Sequence, residues 1–355
     1  MAPFGYPSSP FAVLSREAVV IGIAAIGGAL FALLGAPAAW LSGSMMLSAA
    51  VAFIRPLPLL RKPWFDATVL FSGTVIGSAA TPEALSAAAR YPASIAVLLI
   101  GVAAIMITSG AYLRFVARWS WIDALLASAP GALSTVLAVA QSKGANIGRI
   151  SVVQLFRLLV LVALLPGAMQ MTGLNPAAAP PTAVVVGAGT MLLVLCCGFA
   201  AGLVLERMGV AAPMMFGATF ASAILHGTGL VEGTLPAAIQ TAVLVLLGST
   251  MGGRIAYIPR KELLSLFPLA IGGFFVSIGV AFLFAWPAAR LAGVSYASAM
   301  TAFAPGGLEA MAMLAFAMGL DTLYVGSHHL VRFLVIGVVM PIIVARVQGE
   351  PPKAS

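Results

Sequence analysis

The sequence predicts an all-α, polytopic membrane protein made of two inverted repeats. Each repeat has about five crossings plus one interrupted or re-entrant Pro-Gly helix. Three observations predict this fold: an apolar composition, a series of long apolar segments and an internal repeat. Of the 355 residues, 61% are hydrophobic and 8% are charged, whereas soluble domains carry about 25% charged residues. A soluble protein of this length would leave too much apolar surface in water, so we expect lipid to cover it.

Twelve apolar segments follow one another along the chain, and most approach the roughly 20 residues that a spanning helix needs. In the first half they are roughly 12–35, 37–54, 64–80, 92–116, 121–141 and 147–174. In the second half they are roughly 181–206, 211–230, 235–257, 264–290, 295–318 and 322–346. The net charge of +8 comes from Lys and Arg residues scattered through short loops. This pattern is typical of the positive-inside bias, and no nucleic-acid partner is expected.

The internal repeat is the strongest signal in the sequence. Shifted by 175 residues, Ala129-Pro130-Gly131 falls on Ala304-Pro305-Gly306, and Arg157 falls on Arg332. Further matches, some with a one-residue adjustment, are Gly73 with Gly248, Gly77 with Gly252, Pro166 with Pro341, Gly43 with Gly217 and Ser48 with Ser222. Such agreement indicates a duplication, with repeat 1 at residues 1–174, a linker at 175–181 and repeat 2 at 182–355.

The distribution of basic residues predicts that the second repeat is inverted. If all twelve segments cross, the loops hold ten basic residues on one side and six on the other. If segments 121–141 and 295–318 do not cross, the tally becomes fourteen against two, with only Arg90 and Arg290 outside. The positive-inside bias favours the second arrangement. These two segments are the ones that contain the Pro-Gly sequences, and they are chosen with the charges in view.

Both of these segments contain a predicted helix break, at Pro130-Gly131 and at Pro305-Gly306-Gly307. Proline removes a backbone donor, and glycine permits non-helical backbone. Unpaired backbone at membrane depth is tolerated only where it faces protein or water. We therefore expect two half-helix ends near the membrane centre, where Ser134 and Glu309 lie just after the breaks. The alternative is a simple kink that aids packing.

Two polar pairs, Gln154 with Arg157 and His329 with Arg332, are the second set of candidate binding residues. Each pair is spaced i, i+3 and so shares a helical face. An intramembrane arginine costs at least about 2.5–3.5 kcal/mol. The two arginines are predicted either to bind a carboxylate or other anion, or to hold a carboxylate such as Glu309. The structural alternative is an ion pair, or hydrogen bonds to the carbonyls of the broken helices.

No catalytic residue, cofactor or metal site is predicted. The three histidines do not form a ligand set, because His328 and His329 are adjacent and point to different helix faces. His329 matches Gln154 in the repeat, which suits a polar partner, although a histidine can also titrate near neutral pH and take part in proton coupling. Cys196 and Cys197 lack zinc-ligand spacing. The sequence therefore predicts that the protein is not an enzyme.

Three stretches carry a family resemblance: GAPAAWLSGSMML, ASAPGALSTVLAVAQSKGANIGRISVVQLFRLLVLVALLP and TAFAPGGLEAMAMLAFAMGLDTLYVGSHHLVRFLVIGVVMP. The chain resembles the AbrB-type integral membrane protein family over nearly its whole length. The resemblance implies a transporter-like membrane protein with a duplicated domain and no known substrate. Some members are labelled regulators or ammonia monooxygenases. Neither label fits, since no soluble DNA-binding segment and no copper- or iron-binding cluster is present.

These observations predict a secondary transporter that moves a small solute by alternating access. The two arginines favour an organic anion. No ATP-binding GxxxxGK[ST] motif is present, so coupling to H+ or Na+ is expected, with Glu309 as the first candidate carboxylate and Asp123 as the second. A channel, or a membrane regulatory or sensor component without transport, is the alternative. The expected location is the bacterial inner membrane, with many crossings, and a homodimer is left open.

Overall fold

In a computed structural model of the protein, the described residues are 10–55, 58–131, 133–173, 184–210 and 212–348. These residues form α-helices joined by short loops, with no β-strand among them apart from an isolated bridge between Val185 and Thr234. The predicted all-α fold is confirmed. The predicted linker at 175–181 lies outside the described residues, so the boundaries of the repeats stay a prediction.

The helices follow the twelve predicted segments. Those of the first half are α1 (Pro10–Leu33), α2 (Ala39–Ile54), α3 (Lys62–Ser78), α4 (Pro82–Ala88), α5 (Tyr91–Phe115), α6 (Trp121–Ser128), α7 (Leu133–Ser142) and α8 (Ile147–Met171). Those of the second half are α9 (Ala188–Arg207), α10 (Pro213–Gly227), α11 (Ala237–Gly253), α12 (Arg260–Ala292), α13 (Tyr296–Phe303), α14 (Leu308–Ala317) and α15 (Thr322–Gln348). A 3-10 turn, Arg254–Tyr257, follows α11.

The short helix α4 is the one helix that the apolar segments do not predict. Thr81 caps it by accepting a hydrogen bond from the Ala84 amide, and Pro82 and Glu83 follow in its first turn. A Thr-Pro-Glu sequence is a typical helix start. This capping signal, rather than hydropathy, is the clue that the sequence offers.

Both segments predicted to contain a break are indeed two helices each. Helix α6 ends at Ser128 and α7 begins at Leu133, while α13 ends at Phe303 and α14 begins at Leu308. The four helices have 8 or 10 residues, about half of what a membrane crossing requires.

Within the described ranges, seven helices are long and apolar enough to cross a membrane: α1, α5, α8, α9, α11 with its 3-10 turn, α12 and α15. The chain is therefore a multi-pass membrane protein. The other three helices predicted to cross, α2, α3 and α10, have 16, 17 and 15 residues. The count of ten crossings stays a prediction.

The chain forms two compact units, and each unit takes helices from both halves. The first unit contains residues up to Ala89, Val162–Tyr257 and Glu309–Tyr324. The second contains Arg90–Leu161, Ile258–Leu308 and the residues from Val325 onward.

Two helix pairs in the first unit make similar close contacts at glycines that correspond under the 175-residue shift. In one pair, Gly73 and Gly77 of α3 lie against α10; a Cβ atom on Gly77 would come within 2.6 Å of the Ser222 Cβ. In the other, the equivalent Gly248 and Gly252 of α11 lie against α2; a Cβ atom on Gly252 would come within 2.9 Å of the Ser48 Cβ. Each pair therefore joins one helix from each half through the same close glycine contact.

In the second unit, α5 packs against α12, and these two helices occupy equivalent places in the two halves. Gly101 of α5 lies against Phe284 of α12, and Tyr112 of α5 lies against Gly272 and Gly273. The residue numbers rise along α5 as they fall along α12. The two equivalent helices are therefore antiparallel neighbours.

Candidate functional site

The same local sequence rule ends α6 and α13, both in the second unit. The hydroxyls of Ser120 and Ser295 cap the N-termini of α6 and α13. At the other ends, Ala129 has φ −59° and ψ 121°, and Ala304 has φ −52° and ψ 136°. A residue that precedes proline is pushed out of the helical region, so each helix ends two residues before its proline, with the alanine between them as its C-cap. Pro130 and Pro305 are both buried.

The two buried arginines cap these helix ends. On α8, Arg157 donates to the carbonyl oxygens of Ser128 at 3.2 Å and Ala129 at 2.9 Å. On α15, Arg332 donates to the equivalent carbonyls of Phe303 at 3.4 Å and Ala304 at 2.8 Å. A C-terminal helix end carries a partial negative charge and unpaired carbonyls. The structural alternative predicted for the arginines, hydrogen bonding to the broken helices, is therefore present.

Gln154 and His329 make a second matched contact one turn before each arginine. The Gln154 side-chain amide donates to the Leu126 carbonyl at 2.8 Å, and His329 Nε2 lies 3.0 Å from the Thr301 carbonyl. Arg332 also hydrogen-bonds to the ring of His329. Because Nε2 faces a carbonyl and Nδ1 faces an arginine donor, the bonding assigns the neutral Nε2–H tautomer to His329.

The charge of the two guanidinium groups is only partly compensated. Arg157 is 4% exposed and Arg332 is 1% exposed. Neither forms an ion pair with a described carboxylate of the second unit. Each helix end supplies roughly half of an opposite charge. Net positive charge therefore remains at the breaks, and the Nε–H of each arginine has no hydrogen-bond partner among the described residues.

The two breaks meet at Gly131. A Cβ atom on Gly131 would lie 3.0 Å from the Gly306 carbonyl oxygen and 3.1 Å from Arg332 Nε. Gly131 also has φ +90°, a conformation that residues with a Cβ rarely adopt. Arg332 spans this junction, donating to the Gly306 carbonyl at 3.0 Å. Arg157 donates to the Ala129 carbonyl, two residues before Gly131, so both guanidinium groups lie beside this junction.

Most of the predicted binding residues therefore come together in the second unit: Pro130, Gly131, Gln154, Arg157, Pro305, Gly306, His329 and Arg332. Gly307 follows this junction and is half-buried. Glu309 is half-buried in the first turn of α14 and belongs to the first unit. The Ser134 side chain lies outside the described part of the chain.

The other acidic candidate, Asp123, has a structural contact. Its position near the start of α6 is compatible with an N-cap, but Ser120 caps α6, and Asp123 instead accepts a hydrogen bond from the Asn146 amide at 2.9 Å. Asp321, which precedes the last helix, does act as a cap, because it accepts from the Tyr324 amide at 2.9 Å.

Sequence reasoning misses the surroundings of His328 and identifies it only as a neighbour of His329. Its Nε2 lies 2.9 Å from the Ser94 hydroxyl, and its ring contacts those of Tyr91 and Phe303. His328 is fully buried. These neighbours lie on α5 and α13, far from His328 in the sequence. The local sequence around His328 therefore does not predict them.

The fold and the site together define a class: a multi-pass helical membrane protein in which two buried arginines cap two equivalent helix breaks. Among the described residues, no group of three His, Cys, Asp or Glu side chains is arranged to hold a metal ion.

Residues 40–348 match the family model described as "Transition state regulatory protein AbrB". The chain belongs to this family, in its membrane-type form. It is also similar to the uncharacterized protein YhjN of Bacillus subtilis (strain 168), with 25% identity over 357 residues, or 92% of each chain.

Proposed function

We propose that the protein is a secondary transporter that moves a small organic anion across the bacterial inner membrane by alternating access, coupled to an ion gradient. One observation carries the proposal. Two buried arginines cap matched helix breaks that touch at Gly131, and each retains an Nε–H without a described partner. No catalytic role, cofactor or metal forms part of the proposal.

The chemistry of the breaks favours an anionic solute. Two guanidinium groups in a buried setting repel each other, and a carboxylate placed between them would remove that repulsion. The two Nε–H groups, which have no partner among the described residues, offer donors with the planar geometry that suits a carboxylate. The carbonyl bonds hold both guanidinium groups in place, so little ordering is needed when a ligand binds.

The packing of equivalent helices supports the inverted arrangement that recurs among alternating-access transporters. The neighbours α5 and α12 occupy the same place in the two halves and run in opposite directions. A duplicated unit that is flipped across the membrane produces this relation. Inverted repeats and broken helices at the binding site are recurrent in secondary transporters.

Ion coupling is proposed to involve H+ or Na+, with Glu309 as the first candidate carboxylate. His329 is less suited to carry the proton. Its neutral tautomer accepts a hydrogen bond from Arg332, and protonation would replace that bond with a repulsive contact between two cations.

Flux measurements in proteoliposomes test the proposal. The wild type is expected to accumulate one or more small carboxylates with saturable kinetics, and both Arg157→Lys and Arg332→Lys are expected to lose most of this uptake. Arg290→Lys is the matched control, because Arg290 is exposed and lies over the Trp286 ring. Flux that does not saturate would instead identify a channel, and a complete lack of flux and binding would favour a regulatory or sensor role.

The inverted arrangement has its own test. Val116 and Leu291 are equivalent positions at the ends of α5 and α12 and are 63% and 51% exposed. Single cysteines at these two positions, with Cys196 and Cys197 replaced by serine, are expected to react with a membrane-impermeant maleimide from opposite sides. Reaction of both from the same side would contradict inversion.

A further inference from the structure

Two equivalent helix interfaces in the first unit, α3 with α10 and α2 with α11, differ in the side chains that fill them. By the repeat, Ser222 and His226 of α10 correspond to Ser48 and Ala52 of α2, and Thr74 of α3 corresponds to Ser249 of α11. One interface therefore has an imidazole ring where the other has only a methyl group. All these residues belong to the first unit.

At the interface of α3 with α10, the serine and the histidine both have partners. The Ser222 hydroxyl donates to the Thr74 carbonyl at 2.8 Å. The His226 ring lies 2.8 Å from the Ser222 carbonyl through Nδ1 and 3.2 Å from the Gly233 carbonyl through Nε2. The ring thus fills the space between α10 and the loop before α11.

At the interface of α2 with α11, the equivalent space is a cavity. The volume open to the centre of a water-sized sphere is about 10 Å³. This is close to the minimum that one water molecule needs. Its lining includes Ala52, Pro58 and Leu59 in the places of His226 and the loop around Gly233, and it is completed by Val20, Ile23, Ser48, Leu60, Ser249 and Gly253.

Two serine hydroxyls line this cavity without hydrogen-bond partners among the described residues. Ser48 is 5% exposed and Ser249 is 1% exposed, and the hydroxyl oxygen of each is fully buried. A buried hydroxyl without a partner costs about 1–3 kcal/mol. Nearly all buried polar groups in folded proteins therefore have a protein or water partner.

We propose that this cavity is a binding site for one water molecule held by Ser48 and Ser249. The water takes the place that the His226 ring occupies at the interface of α3 with α10. The water accepts from one hydroxyl and donates to the other, so that both become satisfied. This inference rests on the packing of the first unit and is independent of the proposed transport function.

The lining favours water over a monovalent cation. Apart from the two hydroxyls, the lining side chains are apolar, and none carries a negative charge. A cation in such a setting would lose most of its hydration without gaining a compensating charge.

A double-mutant cycle on the full chain in detergent tests the site. If one water bridges both serines, Ser48→Ala and Ser249→Ala each lower the melting temperature by a few degrees. The double variant then melts no lower than the less stable single variant, because all three lose the same water. If the hydroxyls are simply unpaired, each alanine leaves the melting temperature unchanged or raises it, and the two effects add; that result overturns the proposal.

Ser72→Ala is the matched control. The Ser72 hydroxyl is also buried without a described partner, but Ser72 does not line the cavity. Its replacement is expected not to lower the melting temperature. A drop equal to that of Ser48→Ala would show that the cycle reports any buried serine, and would overturn the assignment.

Two further measurements test the site, and the first of them needs no variant. Hydroxyl-radical labelling of the wild type in 18O-water is expected to mark Leu59 or Leu60, which line the cavity; an absence of label at both contradicts a bound water. The difference between melting in NaCl and in choline chloride at the same ionic strength is expected to be equal in the wild type and in Ser48→Ala, because Na+ bound elsewhere affects both alike. Stabilisation by Na+ that Ser48→Ala abolishes would identify a cation and overturn the assignment of water.

Discussion

The two helix breaks share one backbone arrangement but differ in their titratable side chains. At both, an arginine holds the last carbonyls of an eight-residue helix. Equivalent sequence positions near them diverge: under the 175-residue shift, Gln154 and Ser134 correspond to His329 and Glu309. The two breaks thus share the contacts that terminate the helices, whereas at these two positions a titratable residue stands only in the second half.

The two breaks also differ in how many contacts the arginine makes. Arg157 bonds to two carbonyls of its own break, whereas Arg332 also bonds to Gly306 and to His329. The second break is therefore held by more hydrogen bonds. We expect it to be the more sensitive of the two to loss of its arginine.

The largest expected effect is that of Arg332→Ala. It leaves the carbonyls of Ala304 and Gly306 without their donor, and unsatisfied buried groups cost about 1–3 kcal/mol each. We expect a loss of about 2–4 kcal/mol in the free energy of unfolding in detergent, and a smaller loss for Arg157→Ala. Equal losses would show that the additional contacts of Arg332 contribute nothing, and an unchanged stability would contradict the capping role.

The next effect is that of Gly131→Ala. The substitution forces a Cβ into a left-handed conformation, which costs about 1–2 kcal/mol, and places it against the Gly306 carbonyl. Gly144→Ala is the matched control, since Gly144 has φ +64° and open space around it. Thermal unfolding should show a larger loss for Gly131→Ala. If the two losses are equal, the close approach of the two breaks does not contribute to stability.

The capping serines give a smaller effect and test the symmetry directly. Ser120→Ala and Ser295→Ala each remove a side-chain acceptor at a helix N-terminus, which typically costs about 1 kcal/mol. We expect similar losses from the two variants in the same unfolding assay. A loss confined to one variant would show that the two short helices differ in stability despite their matching caps.

The smallest expected effect on stability is that of His329→Gln. The equivalent Gln154 already donates to the carbonyl at its own break, so glutamine at position 329 should retain that contact and change stability by less than about 1 kcal/mol. The main purpose of the His329→Gln variant is to test whether His329 carries the coupled proton. If transport keeps its pH dependence in this variant, the proton is carried elsewhere, as we propose; if the dependence disappears, His329 carries it.

Much of this molecule is predictable from the sequence because membrane helices have a strong, local signal. Apolar length locates the helices, and proline followed by glycine locates both breaks. The register of the repeat is sufficient to match Arg157 with Arg332. The short helix α4 is not predicted, because its sequence signal is an N-terminal cap and not an apolar run.

The parts that cannot be predicted depend on which helices become neighbours. A buried arginine has the same sequence pattern whether it meets a carboxylate or a backbone carbonyl, so its capping role depends on the packing of α8 and α15 beside the breaks. The cavity beside Ser48 likewise arises because His226 has only Ala52 as its counterpart. That consequence emerges only when α2 is packed against α11.

We propose that Arg157 and Arg332 together form one anion site at the paired breaks. Calorimetric titration of the purified protein with a panel of small mono- and dicarboxylates measures this binding. We expect saturable binding of at least one of them, weakened about tenfold or more in both Arg157→Lys and Arg332→Lys, with Arg290→Lys unchanged. Binding that is equally tight in the wild type and in both lysine variants would contradict it.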